Sequence, residues 1–357
     1  MSKKRKGLKY DVFRFIKEHN IDVNNSSVKD IYDNLLADAF FGKNEDTVRR
    51  AVSEYRAYLS GNNNVTAVHV SEPAKTIKIA FPCNEVKVND IIVNNHINIS
   101  HDEAPSFKRQ EGMHIMLGCN HVPFHDVKLH KGIYRLIKNH KHLVKGFHLM
   151  GDFMDLNSLS SHDKGRFTAV PGLTLDSEYL EGNIQLDYFD EVLPDGVWKT
   201  YLYGNHEDRW NRWMSGMDNA KTPLVSPLEA LKLLDRGYQV KTNWSQDFFT
   251  LGKDFDIFHG IYFSIHCAKA HIDKLKRKCA FVHTHRQQFY REGSLMAYNI
   301  GTCADIDAPA FGYASRPMKA QWGKGFAINM IDSEGNSNVT MITPDENSNF
   351  WFGGIKY

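Results

Sequence analysis

The stretch GFHLMGDFMD, residues 146–155, closes an apolar run on a glycine and then two acids three residues apart. Short apolar runs bounded by turn residues read as buried strands. This one leaves Asp152 and Asp155 just beyond its carboxyl end. The pattern recurs on either side. HIMLGCNH (114–121) precedes it, and TYLYGNHE (200–207), FDIFHG (255–260) and AFVHTH (280–285) follow. Each apolar run therefore ends in residues that can bind a metal. Strands are predicted over 114–117, 147–150, 200–203, 255–258, 280–282 and 295–300, with helices over about 127–143 and 177–193. Strands alternating with helices argue for an α/β domain. Ligands in open α/β sheets collect where strands end, so the five clusters should meet on one rim.

Such a rim suits a phosphate ester. Two cations about 3.5–4 Å apart can hold the phosphoryl oxygens, acidify a water and neutralise developing charge. A carboxylate can bridge them, and imidazoles with an amide carbonyl complete the shells without an excess of negative charge. A further histidine can protonate the leaving oxygen. Taken singly each cluster has a plain structural reading: Asp152 and Asp155 as helix caps, Asn205 in a turn, His259 as a core histidine. Their common order after apolar runs is what points to chemistry.

The order CNH, GDFMD, GNHE, HG and VHTH resembles the ordered motifs of calcineurin-like metallophosphoesterases, over roughly residues 113–305. The resemblance implies a two-sheet β-sandwich flanked by helices. It implies Asp152 as bridging carboxylate, His121 and His285 on a first metal, and Asn205, His259 and His283 on a second. His206 takes the place of the general acid and Asp155 that of an orienting carboxylate. Arg209, three residues past His206, is the candidate for substrate binding. The sequence departs from the pattern at Val282, where a glycine is usual, and at Cys119, where an aspartate would bind the first metal. A thiolate can replace it but favours zinc or iron over manganese or magnesium. His125 and Asp126 stand near enough to substitute, though their spacing fits a loop-to-helix cap. The histidines at 130, 140, 142 and 148 read as solvent-facing or packing residues, and the tryptophans in DRWNRW (208–213) as packing.

Outward from this core the chain changes character. Residues 1–62 read as a small all-α, helix-turn-helix-like module whose third helix, TVRRAVSEYR (47–56), carries Arg49, Arg50 and Arg56 outward. That face suits a DNA major groove as well as an ordinary interaction bundle. Residues 63–110 read as a linker or small β-element, and 111–357 as the catalytic domain. Over 357 residues, Lys+Arg 44 against Asp+Glu 42 gives a net charge of +2, so any attraction to nucleic acid must be local. Five scattered cysteines fit reduced thiols. No run approaches the ~18 apolar residues of a membrane helix, and the expectation is a soluble, cytoplasmic protein. The functional expectation is a dinuclear-metal phosphoester hydrolase: a phosphodiesterase or nuclease acting on nucleic acid or nucleotides. The alternatives are a phosphoprotein phosphatase, or a DNA- or protein-binding scaffold with a degraded site at Cys119.

Overall fold

Strand β1 (Gly112–Leu117) enters the core with a burial pattern that admits solvent only at its first residue, as expected where both faces are covered. The computed structural model describes residues 107–160, 170, 172–216 and 224–357. The helix-turn-helix-like reading with Arg49, Arg50 and Arg56 and residues 63–106 lie outside them.

After β1 come α1 (Val127–Asn139), β2 (Val144–Leu149), α2 (Leu175–Val192), β3 (Trp198–Leu202), α3 (Asp208–Ser215) and β4 (Tyr238–Lys241). Then follow β5 (Phe249–Leu251), β6 (Phe255–Ile257), α4 (Cys267–Leu275), β7 (Lys278–Phe281), β8 (Gln287–Glu292) and β9 (Leu295–Ile300). The chain ends with β10 (Phe326–Ile331), β11 (Ser337–Ile342) and a hairpin of β12 (Trp351–Phe352) with β13 (Ile355–Lys356). One sheet has the order β11-β10-β1-β2-β3-β4 and the other β5-β6-β7-β9-β8. Strands β1 to β4 run parallel, as do β6, β7 and β9, while the outer strands β11, β10, β5 and β8 are antiparallel additions. This is the two-sheet α/β architecture expected from the motifs.

Side-chain alternation divides the core. From β1, Met113, Ile115 and Leu117 pack with α1 and α2, whereas Met116 faces Leu251, Ile257 and Ala280 of the second sheet. Each fully buried side chain of this size is worth about 1.5–3 kcal/mol. Helix α1 starts where Asp126 accepts from the Leu129 amide, the cap its spacing suggested. It ends at Asn139 rather than near 143, because the His140 amide closes on Leu136 and the chain turns directly into β2. A capping box of Thr174 and Ser177 starts α2 two residues earlier than expected.

Val282 finds its room at Gly118, where a Cβ would sit 2.6 Å from Val282 Cγ1. Gly204 is likewise obligatory: a Cβ there would lie 2.1 Å from Asp152 Oδ1. No helix among the described residues is long and apolar enough to cross a membrane.

Candidate metal centre

The parallel strands β1, β2, β3, β6 and β7 all deliver their last residues to one rim, which brings the five sequence clusters together. Nine non-glycine residues among those described have positive φ, and five of them are Cys119, His121, Asp152, His283 and His285. A left-handed residue that is not glycine costs about 1 kcal/mol or more. The surrounding structure holds them by bonds to their backbone: Cys119 N to Gly151 O (3.0 Å), His121 N to Asp152 O (2.9 Å), Gly323 N to His285 O (2.7 Å) and His283 N to Cys119 Sγ (3.1 Å). Strain of this kind gathers at functional sites because it aims side chains where a relaxed backbone would not.

Asp152 lies at the centre, 1% exposed. Its Oδ1 accepts from the His206 amide at 2.8 Å. Oδ2 is thereby left facing inward, 3.3 Å from His259 Nε2, 3.8 Å from His121 Nε2 and 4.0 Å from His206 Nε2. Oδ2 is thus the oxygen that faces both sides. On one side, Cys119, His121 and His285 bring their ligand atoms within 4.8 Å of one another, with the two imidazole Nε2 atoms 2.9 Å apart. On the other, Asn205 Oδ1 lies 2.9 Å from both His259 Nε2 and His283 Nδ1, which are 3.1 Å from each other.

Hydrogen bonds behind the rim fix which nitrogen faces in. His121 Nδ1 lies 3.0 Å from Asp155 Oδ2, and His259 Nδ1 lies 3.2 Å from the Met150 carbonyl. Both partners accept only, so these nitrogens carry the protons and the inner Nε2 atoms present lone pairs. Asp152 Oδ2 and Asn205 Oδ1 add further lone pairs to the same space. A cluster with more acceptors than protons fits a cation, and this donor set of imidazole, carboxylate, amide oxygen and thiol suits a divalent transition metal.

Electrostatics agree for most of the cluster; against its burial, the Asp152 charge raises the His259 imidazole, so that a proton and a cation compete for its Nε2. Burial works against the Asp152 charge, yet His259 and His206 hold its carboxyl well below the usual range. Burial likewise opposes ionisation of Asp155, but His206 and the His121 hydrogen bond keep it charged. Burial lowers His285 and holds His283 at about 3, so both are neutral and able to ligate. Cys119 is a second exception. Burial first, and then the Asp152 charge, pushes its thiol well above the usual range, although the His283 amide donates to its Sγ at 3.1 Å.

His206 stands over the cluster, its ring 4.4 Å from that of His121. Its Nδ1 lies 3.0 Å from the Asp155 carbonyl. Arg209 reaches in from α3, donating to Asp155 O (2.9 Å) and Oδ1 (3.2 Å), with its other terminal nitrogen 3.3 Å from His206 Nε2. Ser158 is turned away from the rim, its hydroxyl donating to Glu178 at 2.5 Å. Trp210 packs against the first core. His125 contributes no atom to these groups.

Sequence reasoning gave no role to Glu207, although it closes the GNHE cluster. It is fully buried and accepts from the amides of Asp152 (3.0 Å), Met154 (3.0 Å) and Gly204 (2.8 Å) and from the Tyr201 hydroxyl (2.9 Å). One carboxylate thus ties the ends of β2 and β3 together. Its signal was an acid directly after the histidine, at the start of α3.

Compared by sequence, the chain matches no family model and no curated protein. By structure it is similar to Vacuolar Protein Sorting 29 from Cryptosporidium parvum, at 11% identity over 69% of this chain and 95% of that one, with a TM-score of 0.35. It is also similar to an archaeal phosphodiesterase, at 15% identity over 64% and 99% of the two chains, with a TM-score of 0.33. A third is wild-type Vps29 from Entamoeba histolytica complexed with zinc, at 13% identity over 49% and 86%, with a TM-score of 0.26. At such identities and TM-scores these likenesses assign no role to any residue, and the roles proposed below rest on the rim's own geometry.

Proposed function

We propose that this chain is a metal-dependent phosphoester hydrolase whose substrate is a phosphodiester of a nucleotide or nucleic acid. One observation carries the reading: Asp152 Oδ2 stands between two inward-facing ligand groups, one of Cys119, His121 and His285 and one of Asn205, His259 and His283. Two divalent cations held there, zinc, iron or manganese, would polarise the phosphoryl group and lower the pKa of the attacking water. Cys119 biases the first site toward zinc or iron.

The chain's own residues supply the rest. His206 is the general acid, within reach of a leaving oxygen beside Asp152. Asp155 holds the His121 ring and the proton on its Nδ1, and its backbone carbonyl does the same for His206. Arg209 lies beside His206, and its bonds to Asp155 keep the guanidinium in place for a phosphoryl oxygen. Glu207 sets the separation of the β2 and β3 ends on which Asp152 and Asn205 ride. Nucleic acid as the source of the phosphodiester is supported by the basic segment with Arg49, Arg50 and Arg56 in the sequence.

Cys119 supports a second reading. A buried thiol that resists ionisation, where a charged ligand would be expected, suits a scaffold with a weakened first site. Hydrolysis assays separate the two readings. An aryl phosphodiester, an aryl phosphomonoester and single- and double-stranded DNA are offered with manganese, zinc, iron or magnesium, beside a His206→Ala variant. Diester turnover that falls about 10²–10⁴-fold in the variant, the scale of a lost general acid, supports the enzyme. Preference for the monoester would favour a phosphatase. No turnover with any metal, together with no bound metal in protein purified without chelator, would leave the scaffold.

A further inference from the structure

A cavity of about 440 Å³ opens beside the rim, lined by the turn after β4, the end of β6 and the end of α4. Its size falls in the ~300–1,000 Å³ range of small-molecule sites. Trp244 belongs to both places: it lines the cavity, and its ring lies 6.0 Å from that of His259 and 5.9 Å from that of His283. Ile261, two residues after His259, lines the cavity too. A phosphate held at His259 and His283 would therefore have one ester substituent a single ring's width from this space.

The lining says what that substituent is. Trp244 and Phe248 offer aromatic rings, and Phe248 is 45% exposed with Lys241 Nζ stationed 5.5 Å from its centre. Arg277 adds a planar guanidinium held by two bonds to Asp256, Nε to Oδ2 at 2.7 Å and a terminal nitrogen to Oδ1 at 2.9 Å. Neutralised by that pair, the guanidinium offers its plane for stacking more than its charge for an anion. Leu275 and Ile261 complete an apolar surround. Flat aromatic faces and a fixed planar cation, with Ser245, Gln246 and Asp247 of the turn as polar lining, suit a planar group with polar edges, and every base has a π-face on which such walls can stack.

We propose that this cavity is a nucleobase subsite: the phosphodiester lies over Asp152 while the base of one flanking nucleoside enters between Trp244, Phe248 and Arg277. This deepens the phosphodiesterase reading and rests on it for the placement of the phosphate. It adds that the enzyme selects nucleoside esters over simple alkyl esters by this contact.

The test uses two diesters with the same 4-nitrophenolate leaving group, thymidine 5′-(4-nitrophenyl) phosphate and methyl 4-nitrophenyl phosphate. Each is assayed with the full chain and with Leu275→Trp, which fills the cavity from a partly exposed position, and Phe248→Ala. Binding of thymidine itself, which carries no phosphate, is measured by calorimetry on the same proteins. The wild type is expected to prefer the nucleoside diester in kcat/KM by about tenfold or more, the scale of one base–aromatic stack. Leu275→Trp should abolish that ratio and weaken thymidine binding by a similar factor, with Phe248→Ala between the two. A wild-type ratio near one, or a ratio untouched by Leu275→Trp with no binding of thymidine, overturns the subsite and leaves the hydrolase standing. Thymidine binding lost in Leu275→Trp, with neither diester hydrolysed, would retain the subsite and overturn the hydrolase. Unchanged melting of the two variants guards against misfolding.

Discussion

Two sets of buried histidines meet in this molecule, and they differ in what their nitrogens face. Between the sheets, His114 Nε2 lies 2.6 Å from the Gln110 carbonyl, His114 Nδ1 lies 2.9 Å from His148 Nε2, and His148 Nδ1 lies 2.9 Å from Thr200 Oγ1. One neutral tautomer of each ring closes this row: His114 donates to Gln110, His148 to His114, and Thr200 to His148. At the rim the same distances occur, yet they converge. His259 Nε2 alone faces Asp152 Oδ2, Asn205 Oδ1 and His283 Nδ1 within 3.3 Å. Burial alone does not separate the sets, since it takes His114 to about 4 and His283 to about 3, although at the rim the Asp152 charge raises His259 against it. The difference lies in the hydrogen-bond account. It balances along the row without a cation, and at the rim it leaves surplus lone pairs that a cation would use.

The largest break in this contrast is Asp152→Asn. The amide keeps the shape but removes the charge between the two ligand groups. Turnover should drop about a thousandfold or more, the upper scale for one charge-stabilising group, and bound metal, measured by elemental analysis, should fall together with it. Full metal content with intact activity would show that Asp152 is not the shared ligand. Asp155→Asn probes the layer behind. It weakens the acceptor that fixes the His121 proton, so metal affinity should fall by about 10–100-fold while the protein stays folded.

The strand ends were legible because each couples an apolar run to a glycine and a polar cluster, and the parallel strands β1, β2, β3, β6 and β7 appear where those runs fall. The edge strands β8 and β11 were not. Both are largely half-exposed along their lengths, so their composition carries no buried-strand signal. His130 and His148 are both fully buried, as packing residues rather than solvent-facing ones. For His148 the signal was present: it alternates with the apolar Phe147 and Leu149 as His114 does with Met113 and Ile115, and β1 and β2 run side by side in parallel with Gly146 opposite His114. Gly146 makes room for the pair, since a Cβ there would lie 2.1 Å from His114 Nδ1. Within the rim the residues that meet could be read, but the left-handed backbone at five of them could not. Four of the five are histidine or aspartate, in which positive φ is enriched yet still uncommon, so the residue type alone does not announce it; tertiary bonds impose it.

Cys119→Asp sharpens the rim side of the contrast with a smaller effect. The aspartate brings a charge that needs no metal to create it, so manganese and magnesium should gain relative to zinc by about tenfold or more, a shift of hard against soft ligation. Competition between zinc and manganese, read by metal content, checks this without reference to turnover. Appearance of activity only in the aspartate variant would mark the native first site as retired.

The smallest effect on chemistry is expected from the closed row. His148→Leu leaves His114 Nδ1 and Thr200 Oγ1 buried without their partner, at a cost of about 1–3 kcal/mol for each group left unsatisfied. Metal content and turnover should not change, because no atom of the row reaches the rim. The row also has a pH signature of definite sign. His114 titrates at about 4 in the fold, against an ordinary 6.5, so the unfolded chain binds the extra proton between those values. Its contribution to stability is complete above pH 6.5 and is lost as pH falls, by about 2 kcal/mol on reaching pH 5. Denaturant unfolding of the metal-loaded protein at pH 7 and pH 5 reads this loss. A variant carrying both His114→Leu and His148→Leu, in which no buried imidazole remains in the row, should show a correspondingly shallower dependence. If its dependence matched the wild type, the acid sensitivity would belong to other buried histidines, those of the rim or His271, which burial also takes to about 4, and not to the row.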